Sequence, residues 1–282
     1  MIETYAFLAV FTLQILTISV LYPTWFIRYC RVQAARLPAE RLAQMYPGVD
    51  VVQARERFLN RYRTLNTGIA VLGALLLAWL FKYMGRPDWA DGPVELLVTA
   101  YSVVALMLPF GFIAGSGVSF DRKHKHALPD GKRKAVLQRR GLFDFVSPFV
   151  LFLALLSYLL FAAFAVYIQQ NPFPGFAGPL INIGIVTLVY AFQAIFVYAM
   201  VYGRNKNPLE THAGRLQTVG LAVKSSVYSC IVVVLYLSLN FSLGLLGMPR
   251  WEPFALSIFF VVCALLTSMC VIAPVRQQAA SA

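Results

Sequence analysis

The sequence predicts an all-α polytopic membrane protein. The expected form is a seven-helix bundle with its N-terminus outside, its C-terminus in the cytoplasm and amphipathic helices in the cytoplasmic loops. Three observations predict it. First, 59% of the 282 residues are hydrophobic and only 13% are charged, with a mean hydropathy of +0.69. A soluble domain carries about 25% charged residues, so this chain lacks the charge to cover a water-facing surface. Second, apolar windows of about 20 residues recur along the chain, and that is the length a helix needs to cross a bilayer core. Third, Lys and Arg crowd into alternate connections. The composition also excludes disordered and disulfide-scaffold classes.

The windows run over 5–27, 65–84, 94–117, 146–168, 179–202, 222–246 and 254–275, within a single transmembrane domain covering 1–282. The first has Glu3 and no basic residue ahead of its apolar run, and no small-residue cleavage site follows. It therefore reads as a retained helix rather than a signal peptide. The third is the weakest, opening with Glu95 and containing Pro109, Gly111, Gly115 and Gly117. The seventh, from Pro253 to Pro274, carries no charge.

Eight basic residues lie between 28 and 63, eight between 122 and 140, four between 204 and 224, and Arg276 lies in the tail. The opposite side holds only Lys82, Arg86 and Arg250. Basic residues flanking spans stay in the cytoplasm, which sets the orientation; the expected location is a bacterial-type cytoplasmic (inner) membrane. The net charge of +12 then belongs to one face. Each cation there attracts anionic headgroups by about 1 kcal/mol. Loops of this length hold no nucleic-acid fold. The expected partners are membrane lipid, a partner protein or a second copy, and no nucleic acid.

In the first inner loop Pro47-Gly48 makes a turn, Asp50 is placed to cap a helix, and Gln53 sits three residues on as a capping-box partner. Val51, Ala54, Phe58, Tyr62 and Leu65 then share one helical face, predicting an amphipathic helix before span two that lies in the interface, packs on the bundle or docks a partner. Its Arg55, Arg57, Phe58 and Arg61 are candidate lipid- or partner-binding residues. So are Lys132, Arg133, Lys134, Arg139 and Arg140 of the second inner loop, where a basic helix is expected after the Pro129-Asp130-Gly131 turn. Three successive hairpins with basic inner connectors point to a weak internal repeat or to shared topology alone.

The ionisable residues Lys82, Glu95 and Lys224 sit at span ends, which disfavours a proton-coupled carrier built on a buried carboxylate. The seventh span has no lysine for a Schiff base, and no span has a histidine for haem ligation. His124, His126 and His212 fall in the second and third inner loops, with Asp121, Asp130 and Glu210 nearby. Such nitrogen and oxygen donors are the stuff of a zinc or iron site. However, Arg122, Lys123 and Lys125 surround them with positive charge, so a solvated basic loop is the plainer reading and no cofactor is expected. Cys30, Cys230, Cys263 and Cys270 read as small packing residues.

Proline with nearby glycines can interrupt a span at a binding site, which makes Pro109 a candidate ligand-binding residue. The Gly111-x-x-x-Gly115 spacing also suits close helix packing. Gln14, Asn182, Gln193, Ser238 and Asn240 lie at depth and can bond across helices. Gln193, with Tyr190 and Tyr198 beside it, is the best placed to line a polar or aromatic cavity. Phosphate-loop, nucleophile-elbow and metalloprotease motifs are absent. Three functions follow as expectations. The first is a non-enzymatic accessory, sensory or scaffolding subunit that binds partner proteins or anionic lipid through its basic face. The second is a carrier or channel for a neutral or weakly polar solute. The third is a membrane-embedded enzyme using a metal at the loop histidines.

Overall fold

The computed structural model describes residues 2–35, 43, 46–83, 94–124, 141–203 and 212–279. Among them every long element is helical. Helix α1 (Ile2–Leu16) passes through a π-helical segment, Thr17–Leu21, into α2 (Tyr22–Ala35). Then come α3 (Val51–Tyr83), α4 (Val94–His124), α5 (Pro148–Ile168), α6 (Pro179–Tyr202), α7 (His212–Leu245) and α8 (Glu252–Ala279). Six stretches among the described residues are long and apolar enough to cross a membrane: Glu3–Val32, Val51–Tyr83, Leu96–Ile113, Pro148–Ile168, Pro179–Tyr202 and Val219–Leu245. They coincide with the first six windows read from the sequence. The apolar run of α8, Glu252–Ser268, is shorter. An all-helical, membrane-embedded protein follows from this.

Contacts fix the up-and-down course of the chain. Tyr101 of α4 sits beside Phe11 and Phe110 beside Tyr22, so α4 runs parallel to α1 and α2. Phe112 meets Phe58 while Tyr101 lies against Gly73, so α3 runs the opposite way. Tyr158 meets Thr187 and Ser157 meets Tyr190, making α5 and α6 antiparallel. Tyr236 stacks on Phe259 while Ser225 bonds Leu266, making α7 and α8 antiparallel. Alternate helix ends therefore share one face, and the face where α2 ends and α3 and α7 begin carries most of the described arginines.

The expected separate helix over residues 51–65 is corrected. Residues 51–83 form one unbroken helix of 33 residues, about 50 Å long against a core of about 30 Å. Nothing in its first 17 positions breaks it, because no Gly or Pro occurs before Gly68. Asp50 does cap it, its Oδ1 accepting from the Gln53 amide at 2.9 Å. The Gln53 side chain turns forward to accept from Arg57 at 3.3 Å. The apolar stripe faces inward: Leu59 and Tyr62 are buried, and Tyr62 lies 5.0 Å from Phe26 and 6.3 Å from Phe112, ring to ring. Phe58 stacks on Phe112 at 5.5 Å, so this stripe joins α3 to α2 and α4.

Two groups of helices result, joined by α8. In the first, Phe7, Phe11 and Ile15 of α1 pack with Ile69 of α3, Val98 and Tyr101 of α4 and Phe260 of α8. The π segment buries Thr17, Ile18 and Ser19, and the Ser19 and Tyr101 hydroxyls stand 3.3 Å apart. This approach requires Gly73, where a Cβ would stand 2.5 Å from the Tyr101 hydroxyl. By contrast, a Cβ on Gly111 or Gly115 meets nothing within 4 Å among the described residues, so the expected close packing of that pair is not seen among them. In the second group α5, α6 and α7 share two cores. One is built around Val146, Val201 and Val223, and the other around Phe161, Val186 and Phe241. Phe173 and Phe176 of the α5–α6 turn seal the latter against Phe241, with Gly244 beneath the Phe173 ring.

Candidate functional site

A groove of about 700 Å³ lies between α5, α6 and α7. Its floor is apolar, from Leu151 and Ala154 of α5, Val197 and Val201 of α6, and Val227 and Cys230 of α7. Leu155, Ala191, Ala194 and Tyr198 on its rim are exposed, so it opens sideways between α5 and α6. Four tyrosines (Tyr158, Tyr190, Tyr198 and Tyr202) form its aromatic wall.

The polar groups are mostly committed to each other. The Tyr190 hydroxyl donates to the Ala154 carbonyl at 3.0 Å, where Ser157 also donates at 2.9 Å. Thr187 donates to its own helix at Ile183, so Tyr158 is the donor in the 2.8 Å bond to Thr187. These bonds tie α6 to α5. Ser226, buried on α7, donates a short hydrogen bond to Gln193 Oε1. The Gln193 amide nitrogen makes no hydrogen bond among the described residues and is left at the groove with two protons to donate. An apolar, aromatic-walled cleft with one amide donor fits a small molecule bearing a neutral acceptor oxygen.

Of the residues singled out from sequence, Gln193, Tyr190 and Tyr198 come together here. Pro109 does not join them. It lies inside the continuous α4 and borders a separate space of about 10 Å³ with Ala105, Ile18 and Ala264. Proline cannot donate to the carbonyl four residues back, and the helix nonetheless continues through it. Ser226, Tyr158 and Thr187 were not anticipated. Each is a common residue in a span, and only the neighbouring helix gives it a role.

At the basic end, Arg55, Arg57, Phe58 and Arg61 all lie on α3, with Phe58 turned into the aromatic cluster. Lys132, Arg133, Lys134, Arg139, Arg140 and His126 lie outside the described residues. His124 ends α4 and His212 opens α7, and their side chains too are outside what is described. Among the described residues no three His, Cys, Asp or Glu side chains gather as a metal site would need. Cys30, Cys230 and Cys263 are free thiols.

Comparison with protein-family models, with curated proteins and with solved structures finds no match.

Proposed function

We propose that this protein is a non-enzymatic accessory, sensory or scaffolding subunit of a bacterial-type cytoplasmic membrane. In this reading seven helices span the bilayer, α8 included, with the basic end inward, and that end binds anionic lipid or a partner protein. The supporting observation is the arginine-bearing extension of α3. It continues well past the bilayer thickness, and Arg55, Arg57 and Arg61 on it form no ion pair among the described residues. Such a surface attracts anions over about one Debye length. Thermal unfolding of the full chain tests this in nanodiscs of zwitterionic lipid and of lipid rich in phosphatidylglycerol. The midpoint is expected to rise by several degrees in the anionic discs, with the gap shrinking at high salt and in an Arg55→Gln/Arg57→Gln/Arg61→Gln variant. Equal midpoints in both lipids overturn the proposal.

The groove favours a second reading, a carrier or channel for a neutral or weakly polar solute, because the free Gln193 amide offers a donor inside an apolar cleft. Uptake of neutral amides and polyols into proteoliposomes should then slow by about tenfold or more in Gln193→Leu, the loss expected for an unmatched buried hydrogen bond. Uptake indifferent to that substitution counts against it.

A further inference from the structure

A second groove, of about 560 Å³, runs between the π segment with α2 on one side and α3 on the other. Arg28, Arg31 and Arg63 line it toward the basic end, while Ser19, Val20 and Ala70 line it toward the middle of the bilayer. We propose that this groove binds a phosphate-bearing amphiphile, its phosphate held by Arg28, Arg31 and Arg63 and its hydrocarbon laid along Val20, Ile27 and Ala70. The proposal rests on the reading of the basic end as a lipid-facing surface and names the site where that contact becomes specific.

Charge is the first argument. Among the described residues only Arg31 of the three has an acidic partner, Glu56 at 3.0 Å, so three guanidiniums against one carboxylate leave two positive charges among those residues. The side chains of Arg28 and Arg63 make no hydrogen bond or ion pair among the described residues, and both are exposed. Five N–H donors on a rigid plane match a phosphate's oxygens two at a time.

The groove wall is the second. Its deeper polar side chains bond to their own helices, the two threonines with their only proton and Asn66 with one of its two. Thr24 donates to Val20 at 2.6 Å, Thr67 to Arg63 at 3.0 Å, and Asn66 to Tyr62 at 2.8 Å. Below the arginines the groove is left short of free donors, with Val20, Pro23, Ile27 and Ala70 beside the threonines. A cationic mouth over a largely apolar trough complements a charged head on a hydrocarbon tail, and a free anion would use only the mouth.

Residue choice is the third. All eight basic residues between 28 and 63 are arginine, whereas the eight between 122 and 140 are half lysine. Topology is served equally by either cation. Exclusive arginine is what planar, two-pronged recognition of phosphate calls for. Arg28 and Arg63 also stand at the edges of the first and second apolar windows, at the depth where lipid phosphates lie.

Native mass spectrometry of the full-length protein, released from detergent with added lipid, tests the site. Phosphatidylglycerol, phosphatidylcholine and inorganic phosphate are the probes. The wild type should retain one phosphatidylglycerol in preference to phosphatidylcholine, and excess inorganic phosphate should not displace it. Arg28→Gln/Arg63→Gln should lower that retention by about tenfold or more, as loss of charge-assisted hydrogen bonds predicts. Lys224→Gln, on α7 and away from the groove, should change it less than about twofold. Arg63→Lys keeps the charge and the fold and should still weaken retention several-fold. An equal loss in Lys224→Gln overturns the groove while leaving general attraction at the basic end intact. Displacement by inorganic phosphate overturns the amphiphile in favour of a free-anion site. Absence of any preference for the anionic lipid overturns both readings.

Discussion

Around Gln14 the first group of helices closes completely, whereas around Gln193 the second group leaves about 700 Å³ open. The chemistry at the two places is nearly the same. Gln14 Nε2 donates to Ser102 on α4 at 2.6 Å, and Gln193 accepts from Ser226 on α7. In each case half of the amide is engaged by a serine of another helix. What differs is the other half. The Gln14 oxygen is buried without a partner, while the Gln193 nitrogen lies at a cleft. A glutamine–serine pair is glue where helices close and a handle where they part. Burial follows suit, at 39% across the first apolar window and 6% across that of α6.

The comparison can be broken by substitutions of the same kind in the two groups. Gly73→Ala should have the largest effect. Its Cβ would strike the Tyr101 hydroxyl and Ile15, costing about 1–3 kcal/mol in thermal unfolding. Adding Tyr101→Phe should recover part of that loss, and a fully additive pair of effects would show that the hydroxyl is not the obstacle. Gln14→Leu should be neutral or stabilising by about 1 kcal/mol, because it removes an unpaired buried oxygen along with one hydrogen bond. Marked destabilisation there would mean that the glutamine holds α1 and α4 together after all. Gly184→Ala on α6 should have the smallest effect, a gain of about 0.5–1 kcal/mol, since the added methyl meets nothing within 4 Å. A loss at Gly184 would show that α6 packs as tightly as α3.

The helices were legible in the sequence because a bilayer imposes a length, and six apolar windows coincide with six membrane-length helices. The aromatic and amide residues of α6 were legible as oddities at depth. The neighbours were not. In a membrane both the lipid-facing and the core-facing side of a span are apolar, so the stripe that tells a soluble helix which way to face is faint. That is why Pro109 was grouped with Gln193, why the Gly111–Gly115 spacing promised a contact not seen among the described residues, and why Gly73 drew no notice. Arg28, Arg31 and Arg63 were counted only as topology signals, because their convergence exists only once α2 lies against α3. The extension of α3 was half legible: its stripe and its cap are real, but the helix expected before span two is the first part of that span's own helix.

Only two residues of α6, Val186 and Val201, are buried. They stand 15 positions apart, about 22 Å along the axis, one in each of the two cores that flank the cleft. The helix therefore lies over the cleft like a beam on two piers. The stretch of α6 that lines the opening, from Thr187 to Tyr198, is thus carried between two anchored ends and holds no fully buried residue of its own.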